Sequence, residues 1–433
     1  ISYTVYMELS KEPYKGTRDF YPEDMYLQKY IFQTMSRVVE SYGYAEYGAS
    51  ILEETALYKA KTGEEIVNEQ TYSFTDRGGR DVTIRPEMTP TVARMVARKR
   101  RELTFPVRWY SIPNLFRYER PQRGRLREHW QLNVDVFGMT SMESDAEIIA
   151  ISYDIMRAFG AKDENFTIKI NNRKLVNFLL NDVFGLAVDD AYKLCKVIDR
   201  KDKLPKADFK SHVQAILKDE TEKLIQLLNT KNLEEFAALV PQNEGVKDLL
   251  ALFEVIRARG ITNTIFDPSL MRGFDYYTGT VFEVFDTSPI NNRSLFGGGR
   301  YDDLVGLFGE EKIGGVGFGM GDVTIKDFLE VYGLTPVYKA TANVYLCPIH
   351  AEYFKKANEL AGRLRNSGVK VAVDYTERKL ASQVKTADKQ GIPYVICIGD
   401  KEVEANMYQV KNLHTREQLE VSEDDILAAV QNA

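Results

Sequence analysis

The sequence predicts an α+β protein: a strand-rich region of hairpins, interrupted by helices, followed by a smaller α/β domain. Three observations predict it. Strand signals lie at 71–85 and 106–138 and return at 276–285. The stretch 173–260 between them is Lys/Glu-rich, has no Gly-rich loop before Gly245, and reads as an all-α insertion. Beyond residue 340 strand and helix signals alternate as βαβαβ with short crossovers. With 433 residues, and roughly 100–200 residues per domain, two or three domains are expected.

Each element has its own signal. Residues 16–43, GTRDFYPEDMYLQKYIFQTMSRVVESYG, predict a turn and then a long helix. Pro22 and Glu23 suit the helix entry, Tyr26, Tyr30, Ile31, Met35 and Val38 recur at a spacing of three to four, and Gly43 suits the exit. A strand is expected at 44–52. TYSFTDRGGRDVTIR, at 71–85, predicts a hairpin turning at Asp76-Arg77-Gly78-Gly79. MTPTVARMVARKRR, at 88–101, predicts a helix whose basic end either complements the helix C-terminus or faces a partner. Strands at 106–118 and 130–138 enclose an arginine-rich loop, and a helix with an apolar face covers 143–159. After the helical stretch come YYTGTVFEVF at 276–285, FGGGRYDDL at 296–304 and IGGVGFGMG at 313–321. The α/β region reads as strand NVYLCPI, helix AEYFKKANELAGRLRNSG, strand VKVAVDY, helix LASQVKTADKQG and strand PYVICIG. There are no repeats and no low-complexity segments.

Composition narrows the function classes. The chain is 44% hydrophobic and 28% charged, with a net charge of −6, as an ordinary globular protein with a sizeable core would be. Its acidic balance argues against a protein that coats nucleic acid with its whole surface, though a local basic patch remains compatible. Cys195, Cys347 and Cys397 are odd in number and far apart, and His129, His212, His350 and His414 are likewise scattered. Neither a zinc site nor a disulfide framework is expected, and a reducing compartment fits. No apolar run reaches the roughly 18 residues of a membrane-spanning helix. The opening ISYTVYMELSKEPYKG lacks the basic and apolar regions of a signal peptide. Starting at Ile1, the chain reads as a fragment of a longer protein.

The sharpest local signal is FRYERPQRGRLREHWQLNVDVFG at 116–138, with five arginines in its first twelve residues. Arg117 and Glu119 are expected on one face of a strand, with Arg120, Arg123, Arg125 and Arg127 in the connection. Gln131, Asn133 and Asp135 alternate on the returning strand, with Leu132, Val134 and Val136 on its other face. Asp and Asn are depleted in strands, so a merely solvated face is the weaker reading. Guanidinium groups suit bidentate phosphate contacts, and carboxylates beside them suit an amine; together they suggest a nucleotide and amino-acid site.

That same segment is similar to motif 2 of the class II aminoacyl-tRNA synthetases, in its histidyl form. MRGFDYYTGTVFEVF at 271–285 and FGGGRYDDL resemble the two histidyl signatures, RPEMTP at 85–90 resembles the family's RPExT segment, and KGTRDFYPED its usual opening. The segments recur in family order, and the resemblance covers 15–430. It implies an antiparallel-sheet catalytic domain at 1–325, the helical insertion at 173–260 within it, and an α/β anticodon-binding domain at 335–433. It also implies a cytoplasmic homodimer, an organellar form being left open, with no membrane association. The substrates would be L-histidine, ATP with Mg2+, and tRNA(His), with no prosthetic group and no resident metal. The basic end of 88–101, on the sharper of its two readings, would face tRNA or another partner.

Roles follow by resemblance. Arg117 and Arg272 would serve catalysis at the α-phosphate, Arg272 in the place other class II enzymes give a metal. Glu119, Arg125, Gly299 and Arg300 would join them in binding ATP. Glu87, Met88, Thr89 and Gln131 would hold the amino-acid end of histidine, and Asp135, Tyr276 and Tyr277 its ring. Three positions depart from the family's common pattern: Asp135 stands where many members have glutamate, Thr324 where motif 3 often has an ATP-binding arginine, and Ser50 where motif 1 usually has proline. The rival reading is an inactive synthetase-like regulatory or tRNA-sensing module. Retention of Arg117, Gln131, Arg272 and Tyr276-Tyr277 argues for the active enzyme.

Overall fold

The structure, a computed structural model, describes residues 10–59, 70–271, 276–291 and 293–431. The chain divides into two compact units, residues 1–336 and 337–433, each with its own apolar core.

The first unit opens on the helix Pro22–Ser41. Pro22 starts it, and Gly43 follows its C-cap with a φ of +81°, a conformation only glycine adopts at little cost. Ile31, Met35 and Val39, four residues apart, are buried along one stripe. The strand expected at 44–52 is instead two short ones, β1 (Ala45–Glu46) and β2 (Leu52–Glu54), which join different sheets. β3 (Tyr72–Thr75) and β4 (Asp81–Ile84) form the expected hairpin. In its turn Asp76 Oδ1 accepts from the backbone N–H groups of Gly78, at 2.8 Å, and Arg80, at 2.9 Å, and Gly79 takes a φ of +78°. β2 pairs with β4 to complete a small antiparallel sheet.

The main sheet is built from β1, β5 (Val107–Ser111), β6 (Asn114–Phe116), β7 (Glu128–Phe137), β8 (Phe166–Asn172), β9 (Thr264–Phe266), β10 (Thr280–Asp286), β11 (Ser294–Arg300) and β12 (Gly315–Gly321). Its order is β1-β5-β7-β12-β11-β10-β8-β9, with β6 also on β7. The pairs are antiparallel except β1 with β5 and β8 with β9. β7 is central and buried on both faces from Leu132 to Phe137. Leu132, Val134 and Val136 enter the main core with Ile148, Ile151 and Ile155 of the helix Met142–Ala158. Full burial of one such side chain contributes about 1.5–3 kcal/mol, so this face anchors the strand whose other face carries Gln131, Asn133 and Asp135.

The 173–260 stretch is helical, but not an appendage. Leu175, Phe236, Leu249, Leu252 and Ile256 belong to the core beneath the main sheet, and a Cβ on Gly245 would lie 2.3 Å from the backbone nitrogen of Leu175. Its middle helices, Val188–Asp199, Lys206–Leu217 and Thr221–Asn229, gather around a cluster of their own that includes Leu194, Val213 and Leu224.

The second unit is a five-stranded sheet of β13 (Val344–Pro348), β14 (Val371–Val373), β15 (Tyr394–Ile398), β16 (Met407–Asn412) and β17 (Gln418–Ser422), in the order β14-β13-β15-β16-β17. The first three are parallel, joined through the helices Phe354–Asn366 and Leu380–Lys389. The last two are antiparallel additions that the βαβαβ pattern did not include. Among the described residues no helix is long and apolar enough to cross a membrane.

Candidate active site

The polar face of β7 opens on a cleft of about 100 Å³ lined in part by Glu87, Thr89, Arg117, Gln131, Tyr276 and Tyr277. Its floor is made by absence. Gly297 and Gly299 of β11 stand opposite Gly319 and Gly317 of β12. β12 in turn sets Gly317 against Asp135 and Gly319 against Asn133. Glycine recurs at every second position of β12, while Val316, Phe318 and Met320 point into the core. Side chains on β12 would fill the space that the polar residues of β7 use: a Cβ at 319 would lie 2.4 Å from Gln131 Nε2. A Cβ at 317 would lie 2.6 Å from Asp135 Oδ1.

Gln131 donates to Asn133 Oδ1 at 2.6 Å, and Asn133 Nδ2 donates back to the Gln131 carbonyl at 2.9 Å. Asn133 thereby orients the Gln131 amide. Asp135 is 2% exposed. Tyr301, which also lines the cleft, donates its phenolic hydrogen to Asp135 Oδ1. Asp135 Oδ2 has no hydrogen-bond partner among the described residues. Burial raises the Asp135 carboxyl to about 7, against the lowering effect of the Tyr301 bond. Burial, and then the Asp135 charge, push the Tyr301 phenol well above its ordinary value. The rings of Tyr276, Tyr277 and Tyr301 form a cluster, Tyr276 meeting Tyr301 edge-on at 5.9 Å. The Tyr276 hydroxyl donates to Glu87 Oε2 at 3.4 Å.

Arg117 reaches the cleft from just beyond the end of β6, not from within a strand: the backbone from Arg117 to Leu126 is irregular, apart from one bridge between Gln122 and Arg125. Arg117 Nε donates to the Pro86 carbonyl at 2.9 Å, which ties the arginine to the RPEMTP segment. Its Nη atoms carry no hydrogen bond among the described residues. The other loop arginines divide. Arg125 pairs with Glu119 at 3.2 Å, and Arg123 approaches Asp327 at 3.9 Å. Arg127 is buried, its guanidinium 4.1 Å from the centre of the Tyr118 ring, and is structural.

Met88, Gly299 and Arg300 stand elsewhere. Met88 is fully buried and outside the cleft lining, because its carbonyl begins the helix Thr89–Lys99 and its side chain turns inward. Gly299 lies under the Tyr277 ring, where a Cβ would come within 2.8 Å, whereas Gly297 opens on the cleft. Arg300 cannot serve ATP as expected: it is 3% exposed and bound through Nε to Asp145 at 3.1 Å and through Nη2 to Ser144 Oγ at 2.7 Å. Arg272 lies outside the described residues. Thr324, in the place of the motif 3 arginine, is turned to the backbone, donating to the Leu295 carbonyl at 2.7 Å. Tyr301 is the cleft residue the sequence reading missed. Its signal was its place directly after the GGGR run.

A family model described as histidyl-tRNA synthetase matches residues 16–322. The chain belongs to the histidyl-tRNA synthetase family. A second model, an anticodon binding domain, matches residues 343–433. The chain is 43% identical to the histidine–tRNA ligase of Leptospira biflexa over 429 residues, which is 98% of each protein. It is 38% identical to that of Thermoplasma volcanium over 422 residues, 96% of this chain and 97% of the relative. Among solved structures, the histidyl-tRNA synthetase of Nostoc matches with a TM-score of 0.84 at 26% identity, covering 98% of this chain and all of the other. Nothing in these likenesses to histidine–tRNA ligases favours an inactive module.

Proposed function

We propose that the glycine-floored cleft is where this histidine–tRNA ligase activates histidine with ATP, before its transfer to tRNA. The observation that carries the site assignment is the meeting of Glu87, Thr89, Gln131 and Arg117 on one glycine-floored cleft, with Asp135 buried on the same strand as Gln131 and bonded to the cleft residue Tyr301. Glu87, Thr89 and Gln131 hold the α-ammonium group, the amide through its carbonyl oxygen. Asp135 Oδ2, buried and open to a donor, takes a ring N–H of histidine. Tyr301 fixes that carboxylate through Oδ1, and Tyr277 serves the second ring nitrogen. A neutral imidazole presents one donor and one acceptor, so a carboxylate and a phenol satisfy both.

The histidine carboxylate attacks the α-phosphorus of ATP; the new O–P bond forms as the bond to pyrophosphate breaks. Charge grows on the α-phosphate oxygens, and Arg117, held at Nε, offers its Nη groups to them. Arg272 is assigned the same task. Glu119 faces the adenine side, and Arg125 leaves Glu119 for the outer phosphates. Mg2+ would accompany ATP as part of the substrate and would offset part of the triphosphate charge. A hydroxyl of the terminal tRNA ribose then attacks the aminoacyl carbonyl and AMP departs. The chain works as a homodimer in this reading, with Ile51, Leu52 and Phe74 as exposed apolar surface around the small sheet. Sedimentation at micromolar concentration tests that point. The site itself is tested by ATP–pyrophosphate exchange with each of the twenty amino acids. Exchange with histidine alone, lost in Arg117→Ala, is the expected result; exchange that survives Arg117→Ala removes the cleft from the reaction.

A further inference from the structure

We infer that Arg300, with Asp145, is a positioning residue for histidine recognition, acting through Tyr301 without touching the substrate. The inference rests on the proposed histidine pocket. Arg300 ends β11, and its guanidinium is enclosed. Nε donates to Asp145, Nη1 to the Met139 carbonyl at 2.9 Å and to Asp302 Oδ1 at 3.1 Å, and Nη2 to Asp145 and to Ser144 Oγ at 2.7 Å. Asp145 and Ser144 lie in the first turn of the helix Met142–Ala158 and are 1% and 0% exposed. Every N–H of the fork therefore has a partner, and the strand end is bolted to a core helix.

The backbone of Arg300 carries this order to the pocket. Its carbonyl accepts from Thr278 N–H at 2.8 Å, one residue from Tyr277, and Tyr301 N–H donates to the Gly315 carbonyl at 2.7 Å. Asp302 N–H donates to Thr278 Oγ1 at 3.0 Å. Tyr301, which holds Asp135, and Tyr277, proposed to serve the imidazole, are thus both tied to the segment that the ion pair fixes. A buried ion pair is a poor way to gain stability but can hold one arrangement against others. Lysine at 300 keeps the charge but cannot reach Asp145, Ser144 and the Met139 carbonyl together.

The test is exchange kinetics on Arg300→Lys and Asp145→Asn, alone and combined with Tyr301→Phe. Each single variant is expected to raise KM for histidine about tenfold, a loss of about 1.4 kcal/mol, with KM for ATP changed less than about twofold. In the Tyr301→Phe background the added penalty should vanish, since both changes remove one arrangement. Equal rises in both KM values, an unchanged histidine KM, or additive penalties would overturn the inference. If neither variant folds, the pair is architectural only and the inference falls. Tyr301→Phe and Asp135→Asn on their own test the pocket. Should they leave histidine KM unaltered, the pocket reading fails; should they raise it while Arg300→Lys does not, only the positioning role fails.

Discussion

The phenol of Tyr301 reaches the carboxylate of Asp135 across an intervening strand. Asp135 is on β7 and Tyr301 directly follows β11, with β12 between them. The bond exists because β12 carries Gly317 at the crossing, where a Cβ would lie 2.6 Å from both polar atoms. Tyr301→Phe leaves Asp135 Oδ1 buried with no donor, a loss of about 1–3 kcal/mol for an unsatisfied buried group. Histidine KM should rise about tenfold or more while ATP KM holds, measured by pyrophosphate exchange. Equal rises in both would mean that the bond serves the fold at large.

Asp135 also predicts a pH dependence of stability. Burial raises its folded-state value to about 7, above the unfolded value of about 3.9. The protonated form therefore favours folding. Its contribution is fully present below about pH 4, declines from there to about pH 7, and is lost above. Asp135→Asn removes a charge that is costly to bury without ligand. In unliganded protein, the melting temperature of the variant minus that of the parent should be smallest near pH 4 and grow positive by pH 8. Saturating histidine should reverse the order at pH 8, because only the parent pairs a ring N–H with a carboxylate. A difference that does not vary with pH would show that the carboxyl does not titrate in this window.

Much of this arrangement was legible in the sequence because it follows a period of two. Gln131, Asn133 and Asp135 share a face because alternate strand residues must, and Leu132, Val134 and Val136 fall into the core for the same reason. Arg300 was misread because charge and a glycine-rich neighbourhood say nothing of whether a partner waits inside. Its partner Asp145 is distant in sequence and on a helix. Tyr301 was missed because its contact spans two strand pairings, which no local pattern records. Only their pairing with β7 reveals the glycines of β12 as space reserved for side chains.

The two kinds of glycine should separate by experiment. Gly319→Ala puts a methyl 2.4 Å from Gln131 Nε2, the far end of a side chain that can turn away. This variant should fold, with its melting temperature lowered by a few degrees at most, and lose histidine-dependent exchange by about a hundredfold or more if Gln131 holds the amino group, since a misplaced positioning group can cost about 10²-fold. Gly298→Ala puts a methyl 2.0 Å from the Gly317 carbonyl oxygen, inside the sheet, where only the backbone can move. It should fail to fold or melt far lower. A Gly319→Ala protein with ordinary histidine KM would take Gln131 out of the pocket.

Removing residues 337–433 should separate the two half-reactions. The cleft residues all lie before 336, and the second unit has its own core of Val344, Leu346, Leu360, Ile396 and Val410, so the cut does not open the core under the main sheet. Histidine-dependent pyrophosphate exchange should persist within severalfold of the full chain. Charging of tRNA should fall far more, because the terminal unit, matched by the anticodon binding domain, is proposed to supply phosphate contacts, which release counterions and make binding salt-dependent. Lys385, Lys389 and Lys411 are proposed to provide them. The residual charging should also lose part of its salt dependence, which a mere loss of folded protein would not produce. If a folded truncation cannot exchange pyrophosphate, adenylate formation depends on the terminal unit and the proposed division of labour is wrong.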